Sequence, residues 1–418
     1  MENRIRSYRI QKNITQEELA NGIVSTSYLS KIENGSVEPS QEVLNLLYER
    51  LGVDLQEINP KNISIQIKKC YRNILLGNET LATDELSRLK QKGSLYEKKF
   101  EIKIQLLESR ILINQQDLDG ALRLLSKYDR NQESFSIAAK RFYHINKGLI
   151  DYYSGNFVDS NAHFLMAEKL IDELSDNLEI GEIYYFIALT YSQLQKASHS
   201  IESTKKALKV YQSTYLQKKC VYCHILLGIN YRKIREWDQA EESYQWARTI
   251  CENFNYHEIL DSVEQNLGFL YEKKQDHMKA LQCYMNSLRY KQKNQDHSGM
   301  ILTYMSIVRL YYEKENSREA AYWMEKASSI FAEELNLSKD IFIQYKVYKS
   351  LLSSDSDDEL EEYLSKEVIP YYTENKSYEN IVTYSTILSK LYEKKSRYKP
   401  AGVYWKKAIE AYQKLVNV

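Results

Sequence analysis

Small residues recur at Ser160, Ser200, Ala240, Ala280 and Ala320, and a step of 40 held over five positions dictates an array of stacked units. Each opens the same signature: a small residue, an aromatic or large residue four later, and a small residue three beyond that. Ala240-Tyr244-Ala247, Ala280-Tyr284-Ser287, Ala320-Met324-Ala327 and Ala401-Trp405-Ala408 fit it, while Ser160-Phe164-Ala167 and Ser200-Thr204-Ala207 are looser matches. Twelve residues ahead lies another compact residue with an aromatic three further on, as in Ala188 with Tyr191, Gly228 with Tyr231 and Gly268 with Tyr271. Spacings of three and four keep such residues on one helix face. Each unit therefore holds two helices, with small residues where the pair must approach closely. Only 4 prolines and 13 glycines interrupt 418 residues, which favours long helices over many short strands.

The pattern resembles the tetratricopeptide repeat, with helices longer than those of the minimal unit. The resemblance implies an all-α chain whose bulk is a right-handed superhelix of about nine helix pairs. The expected pairs are 62–92, 100–129, 140–173, 181–214, 220–254, 260–294, 300–334, 340–373 and 380–415, the first and eighth degenerate. Tyrosine at packing positions accounts for part of the 36 tyrosines. The acidic stretch 353–362 reads as a solvated loop running into a helix N-terminus, since it lacks the spacing and central glycine of a calcium loop.

Residues 1–60 follow a different rule, that of short helices with clear stop signals. Thr15-Gln-Glu-Glu18 is a capping box opening a short helix that carries Leu19 and Ala20. Ser25 caps the next helix, Leu29 and Ile32 share one of its faces, and Gly35 suits its left-handed stop. Pro39-Ser40 starts another helix that ends at Gly52. Two short helices joined by a tight turn form a helix-turn-helix, in which the start of the second helix enters the major groove. Its outward residues are expected to be Thr26, Ser27, Ser30, Lys31 and Asn34.

With Gln16-Glu-Glu-Leu-Ala20, Ser27-Tyr-Leu-Ser-Lys-Ile-Glu-Asn-Gly35, Pro39-Ser40 and Leu51-Gly52-Val53, residues 5–53 resemble the Xre/Cro-type helix-turn-helix family. The resemblance implies that Gln16 holds a phosphate, that Thr26, Ser27 and Lys31 face bases, and that Arg9 and Glu33 form a structural ion pair. Tyr28 either touches a phosphate or packs. The turn position often occupied by glycine is Val24 here, with Gly22 two residues earlier, so a variant turn is expected. Six basic residues against nine acidic ones in 1–60 leave this segment mildly acidic. Phosphate neutralisation supplies most non-specific DNA affinity, so one copy should bind weakly and a dimer on a two-fold operator is expected.

Arrays of this kind hold extended peptides on the face lined by the first helix of each pair. Asparagine there can bond both the N–H and the C=O of a peptide backbone. Asn266 is the leading candidate by repeat position, followed by Asn230, Gln265, Arg232, Tyr185, Asn146, Tyr152 and Tyr304. Arg232 could pair with a peptide carboxylate.

Other chemistries find no foothold. The seven histidines form no His-x3-His pair, and Cys220-x2-Cys223 has no matching second pair and reads as packing. No Gly-rich phosphate loop or nucleophile elbow occurs. No metal, cofactor or catalytic residue is expected. Five sparse cysteines, no membrane-length apolar run and no signal-like start point to the cytoplasm.

A Cro-type domain fused to such an array resembles the RRNPP (Rap/Rgg/NprR/PlcR/PrgX) peptide-pheromone receptors of Gram-positive bacteria, and about nine units bring it nearer the NprR-like members. The domains implied are 1–60 for DNA and 61–418 for peptide binding and oligomerisation. A short secreted and re-imported peptide would then occupy the array and alter double-stranded DNA binding by a homodimer or higher homo-oligomer. A rival implication is a peptide-regulated protein–protein switch, Rap-like, that binds a phosphorelay response regulator, or a bifunctional protein.

Overall fold

The computed structural model describes residues 4–53, 59–91, 98–129, 135–173, 175–331, 337–353 and 357–416, and among them every regular element is helical. The chain divides into two compact units, Met1–Ile183 and Tyr184–Val418.

The first unit opens with four short helices, α1 (Arg4–Gln11), α2 (Gln16–Ala20), α3 (Thr26–Glu33) and α4 (Gln41–Arg50). Their apolar faces meet in a small core of Ile5, Tyr8, Leu19, Ala20, Leu29, Ile32, Leu47, Tyr48 and Leu51. Thr15 forms the expected capping box with Glu18, and Ser25 and Ser40 accept from the third amides of α3 and α4. Gly35 and Gly52 take the left-handed conformation after α3 and α4. Gly22 (φ 72°) supplies the left-handed residue of the turn between α2 and α3, so Val24 is spared it.

Helix pairs follow: α5 (Pro60–Leu76) with α6 (Glu79–Gln91), α7 (Lys98–Asn114) with α8 (Leu118–Ser126), and α9 (Ile137–Tyr153) with α10 (Phe157–Lys169). Helix α11 (Asn177–Gln193) spans the division and pairs with α12 (Ala197–Ser213). The second unit continues with α13 (Gln217–Lys233) and α14 (Trp237–Phe254), α15 (His257–Lys273) and α16 (His277–Lys293), and α17 (His297–Glu313) and α18 (Ser317–Phe331). Then come α19 (Lys339–Leu352), α20 (Asp357–Tyr363), α21 (Ile369–Glu374), α22 (Tyr378–Lys394) and α23 (Tyr398–Val416).

The 40-residue period is two equal halves. Left-handed residues fall at Gln195, Tyr215, Arg235, Asn255, Gln275, Gln295 and Glu315, each 20 after the last. Most intervening helices are 17 residues long, so a three-residue link ends each one. All seven of these links bond in the same way: the amide after each left-handed residue, from Lys196 to Asn316, reaches back to the carbonyl five residues earlier, as Glu236 does to Tyr231 and Asp276 to Tyr271. That is a Schellman stop, and it satisfies carbonyls a helix end would otherwise leave bare.

Small residues mark the close approaches. A Cβ on Gly148, Gly228 or Gly268 would lie 2.7, 2.4 or 2.5 Å from the ring of Phe164, Tyr244 or Tyr284. Where alanine replaces the glycine at Ala188, the facing residue is the smaller Thr204, and Ser200 donates to the Ala188 carbonyl at 2.7 Å. The eighth pair departs from the pattern because α20 and α21 are joined by a π turn, Leu364–Val368. Pro370 has no N–H for a regular helical bond and its ring crowds the preceding turn, which widens to accommodate it. Of the acidic stretch 353–362, residues 354–356 lie outside those described, and Asp357 and Asp358 stand in the first turn of α20. No described helix is long and apolar enough to cross a membrane.

Candidate functional site

The DNA-reading candidate is α3. Thr26, Ser27, Lys31 and Asn34 are exposed, and Ser30 is half-buried between them. Ser27, Ser30, Lys31 and Asn34 share one face at helical spacing. Tyr28 is half-buried and packs against the small core.

Behind α3 lies a brace centred on Glu33. Arg9 donates to both Glu33 oxygens, at 2.7 and 3.0 Å, and also to the Ile14 carbonyl at 3.1 Å. Gln16 joins the same carboxylate through its amide nitrogen at 2.7 Å. That nitrogen carries two N–H groups, so one remains for a phosphate. Burial alone would push the Glu33 carboxyl up, but the bonds from Arg9 and Gln16 outweigh it and hold the carboxyl low. Arg50 is a positioning residue that the sequence did not single out. Its guanidinium donates to the carbonyls of Leu19 and Asn21 and so ties α4 to the end of α2.

The array residues fall into two groups. Asn146 is buried and donates to the Leu106 carbonyl and Ser109 hydroxyl, at 2.8 and 2.7 Å. Asn230 is buried too and donates to Leu226 of its own helix. Tyr304 is buried in an apolar cluster against Trp323. The structure withdraws these three from a ligand-facing position, because all three side chains are buried and the amide nitrogens of Asn146 and Asn230 are spent inside the stack. Tyr152 is half-buried against Tyr153 and Phe157, and Tyr185 packs partly buried beside Tyr211 and Cys220. Gln265 is held by Ser306 and Thr303, at 3.0 and 2.8 Å. Asn266 remains half-buried on α15, with one amide N–H on the Ser262 carbonyl.

Arg232 belongs to a cavity of about 320 Å³ in the second unit, lined by the ends of α13 and α15 and by α22 and α23. Arg232, Lys233, Arg235 and Lys273 line it with Glu379 as their acidic counterpart. Glu379 lies 3.0 Å from Lys273 and 3.5 Å from Arg232. Burial alone would raise its carboxyl, yet Arg232 and Lys273 bring it down to about 2. Lys233 donates to the Ser192 carbonyl at 2.6 Å, and burial with nearby Arg232 pushes its amine down to about 8. Arg235 donates to the Tyr412 hydroxyl and lies 4.7 Å from that ring's centre. Beneath them the Phe269 ring meets Arg232 at 4.4 Å, Lys273 at 5.1 Å and Arg309 at 5.2 Å. The repeat itself carried a signal for this cluster, since Lys233 and Lys273 occupy equivalent positions 40 apart.

Cys220 and Cys223 are buried, their thiols raised by desolvation, and among the described residues no three potential ligands converge on a metal position. Two histidines distant in sequence do meet: His144 and His163 place their Nδ1 atoms 3.1 Å apart.

A helix-turn-helix with an outward polar face, continued by stacked helix pairs, defines a class of transcription regulators that carry an α-helical repeat array. Residues 5–58 match the family model described as "Helix-turn-helix". The chain is 32% identical to the transcriptional activator NprA of Geobacillus stearothermophilus over 407 residues, covering 96% of this chain and 100% of NprA. It is 19% identical to response regulator aspartate phosphatase I of Bacillus subtilis (strain 168) over 322 residues, 77% of this chain and 80% of that protein. The fold matches the apo quorum sensor NprR from B. thuringiensis with a TM-score of 0.69 at 18% identity, covering 84% of this chain and 99% of NprR. NprR in complex with its cognate peptide NprX gives a TM-score of 0.62 at the same identity and coverage. The chain belongs to the RRNPP family of peptide receptors.

Proposed function

We propose that this protein is a cytoplasmic quorum-sensing transcription regulator whose DNA affinity is set by a short signalling peptide bound to its repeat array. Residues 1–60 form the DNA-binding domain and 61–418 the sensing and oligomerising domain. The observation that carries the reading is a helix-turn-helix with an exposed polar face on α3 in a chain similar over its whole length to a transcriptional activator. Thr26, Ser27, Ser30, Lys31 and Asn34 read base edges, and Gln16 takes a phosphate through its second N–H. The mildly acidic domain gains affinity by acting as a dimer on a two-fold operator.

Asn266 grips the peptide backbone and Arg232 a peptide carboxylate, with Gln265, Tyr185 and Tyr152 as further candidates on first helices. A peptide shifts DNA binding only if it binds one state of the array better than another. No step of this needs a catalytic group or a cofactor. Selection of duplexes from a random pool with the full chain tests the DNA half. Enrichment of a two-fold symmetric site supports it, and no enrichment contradicts it. Likeness to a response regulator aspartate phosphatase across the array favours a second role, docking of a response regulator, which co-purification would detect.

A further inference from the structure

We propose that the cavity at the ends of α13 and α15 receives a carboxylate of the effector peptide, and that Glu379 is the intramolecular stand-in for that carboxylate. The proposal rests on the peptide-receptor reading above and specifies the chemistry of its ligand. Four cations, Arg232, Lys233, Arg235 and Lys273, line the cavity, and Glu379 supplies the single carboxylate among its lining residues. Charge there is in excess by three, so a second anion would be attracted. About 320 Å³ leaves room for one acidic side chain or a chain terminus.

The existing pairing is also of a kind that exchanges readily. The contacts from Glu379 are 3.0 Å to Lys273 and 3.5 Å to Arg232, and its side chain is 41% exposed. Glu379 meets Arg232 at only 3.5 Å while part of its side chain stays open to solvent, so a competing carboxylate that engages the Arg232 fork with both oxygens can take its place. Displacement has a structural consequence. Glu379 lies in the first turn of α22, and Tyr412 of the adjoining α23 is the partner of Arg235. These two contacts tie the C-terminal helix pair to the ends of α13 and α15. Exchange of Glu379 for a peptide carboxylate removes one tie, which converts ligand binding into a loosening of α22 and α23.

The test uses the immobilised full chain and three pools of seven-residue peptides whose flanks are randomised over all residues except Asp and Glu: central Asp with an amidated end, central Asn with a free end, and central Asn with an amidated end. Mass spectrometry quantifies what is retained. One of the two carboxylate-bearing pools is expected to be retained about tenfold better than the Asn-amide pool, and which one tells side chain from terminus. Glu379→Gln, which keeps the shape but removes the competitor, is expected to raise that retention several-fold. Lys273→Gln lowers it, and Arg232→Gln does the same where Lys273→Gln fails to fold. Equal retention of all three pools overturns the carboxylate site while leaving a peptide receptor in place. Glu379→Gln retaining no more than the parent chain overturns the stand-in. No retention of any pool by any form overturns the peptide reading and this inference with it.

Discussion

At the scale of single residues, Glu33 holds the DNA-binding end together. Its carboxylate gathers Arg9 from α1 and Gln16 from α2 and is almost wholly buried, with 1% of its side chain exposed. Removing one partner of a buried pair leaves an uncompensated charge, so Arg9→Ala is expected to cost about 3 kcal/mol in the unfolding of residues 4–53. Hydrogen exchange of α1 to α3 in the full chain checks it, and unchanged protection would refute the brace. The pH dependence follows from the lowered carboxyl: its stabilisation is present above the ordinary value of 4.5 and is lost as pH falls through the lower folded value. Glu33→Gln should flatten that acid dependence. Ser27→Asp sets a negative charge against the groove without touching the core and is expected to weaken operator binding about a hundredfold. Thermal unfolding unchanged and binding unchanged together would mean that α3 reads DNA with another face.

At the scale of helices, the repeat makes glycine a packing residue. Gly268→Ala places a methyl group 2.5 Å from the Tyr284 ring, and the expected loss is about 1–3 kcal/mol although alanine is the better helix former. Gly402→Ala, with nothing within 4 Å of its added Cβ inside α23, should instead gain about 0.5–1 kcal/mol. If both variants moved stability the same way in thermal melts, close approach would not be what selects glycine.

The pair α9–α10 carries its own pH response. Burial, with His163 adding to it, pushes His144 down to about 4. A histidine that stays neutral when folded loses stability as pH falls from its ordinary value of 6.5 toward 4, because the unfolded chain takes up the proton first. Hydrogen exchange of α9 and α10 should therefore quicken across that range, and His144→Gln should weaken the dependence.

At the scale of the whole chain, the period of 40 made the helix pairs legible, since the links from α11 to α18 repeat the same left-handed stop every 20 residues. The expected pairs fall within a few residues of those observed, and caps at Thr15, Ser25 and Ser40 were readable because capping is a local act. Side-chain commitments were harder to read. Asn146 and Asn230 have the residue type of a peptide grip, but whether an amide faces a ligand or a buried carbonyl depends on the neighbouring helix or turn. Glu379 lies more than 100 residues from both Arg232 and Lys273, and no periodicity links it to them. The π turn before Pro370 was hidden for a related reason, since proline warns of a break without saying how the helix will absorb it.

The central claim is that peptide occupancy of the array changes DNA binding. Its most direct measurement is the affinity of the full chain for its selected operator, by fluorescence anisotropy, titrated with the small-peptide fraction of spent medium from the source bacterium. The account predicts a saturable change of about tenfold or more, in proportion to peptide retained on the protein. Operator affinity that stays constant while peptide is demonstrably bound would contradict it.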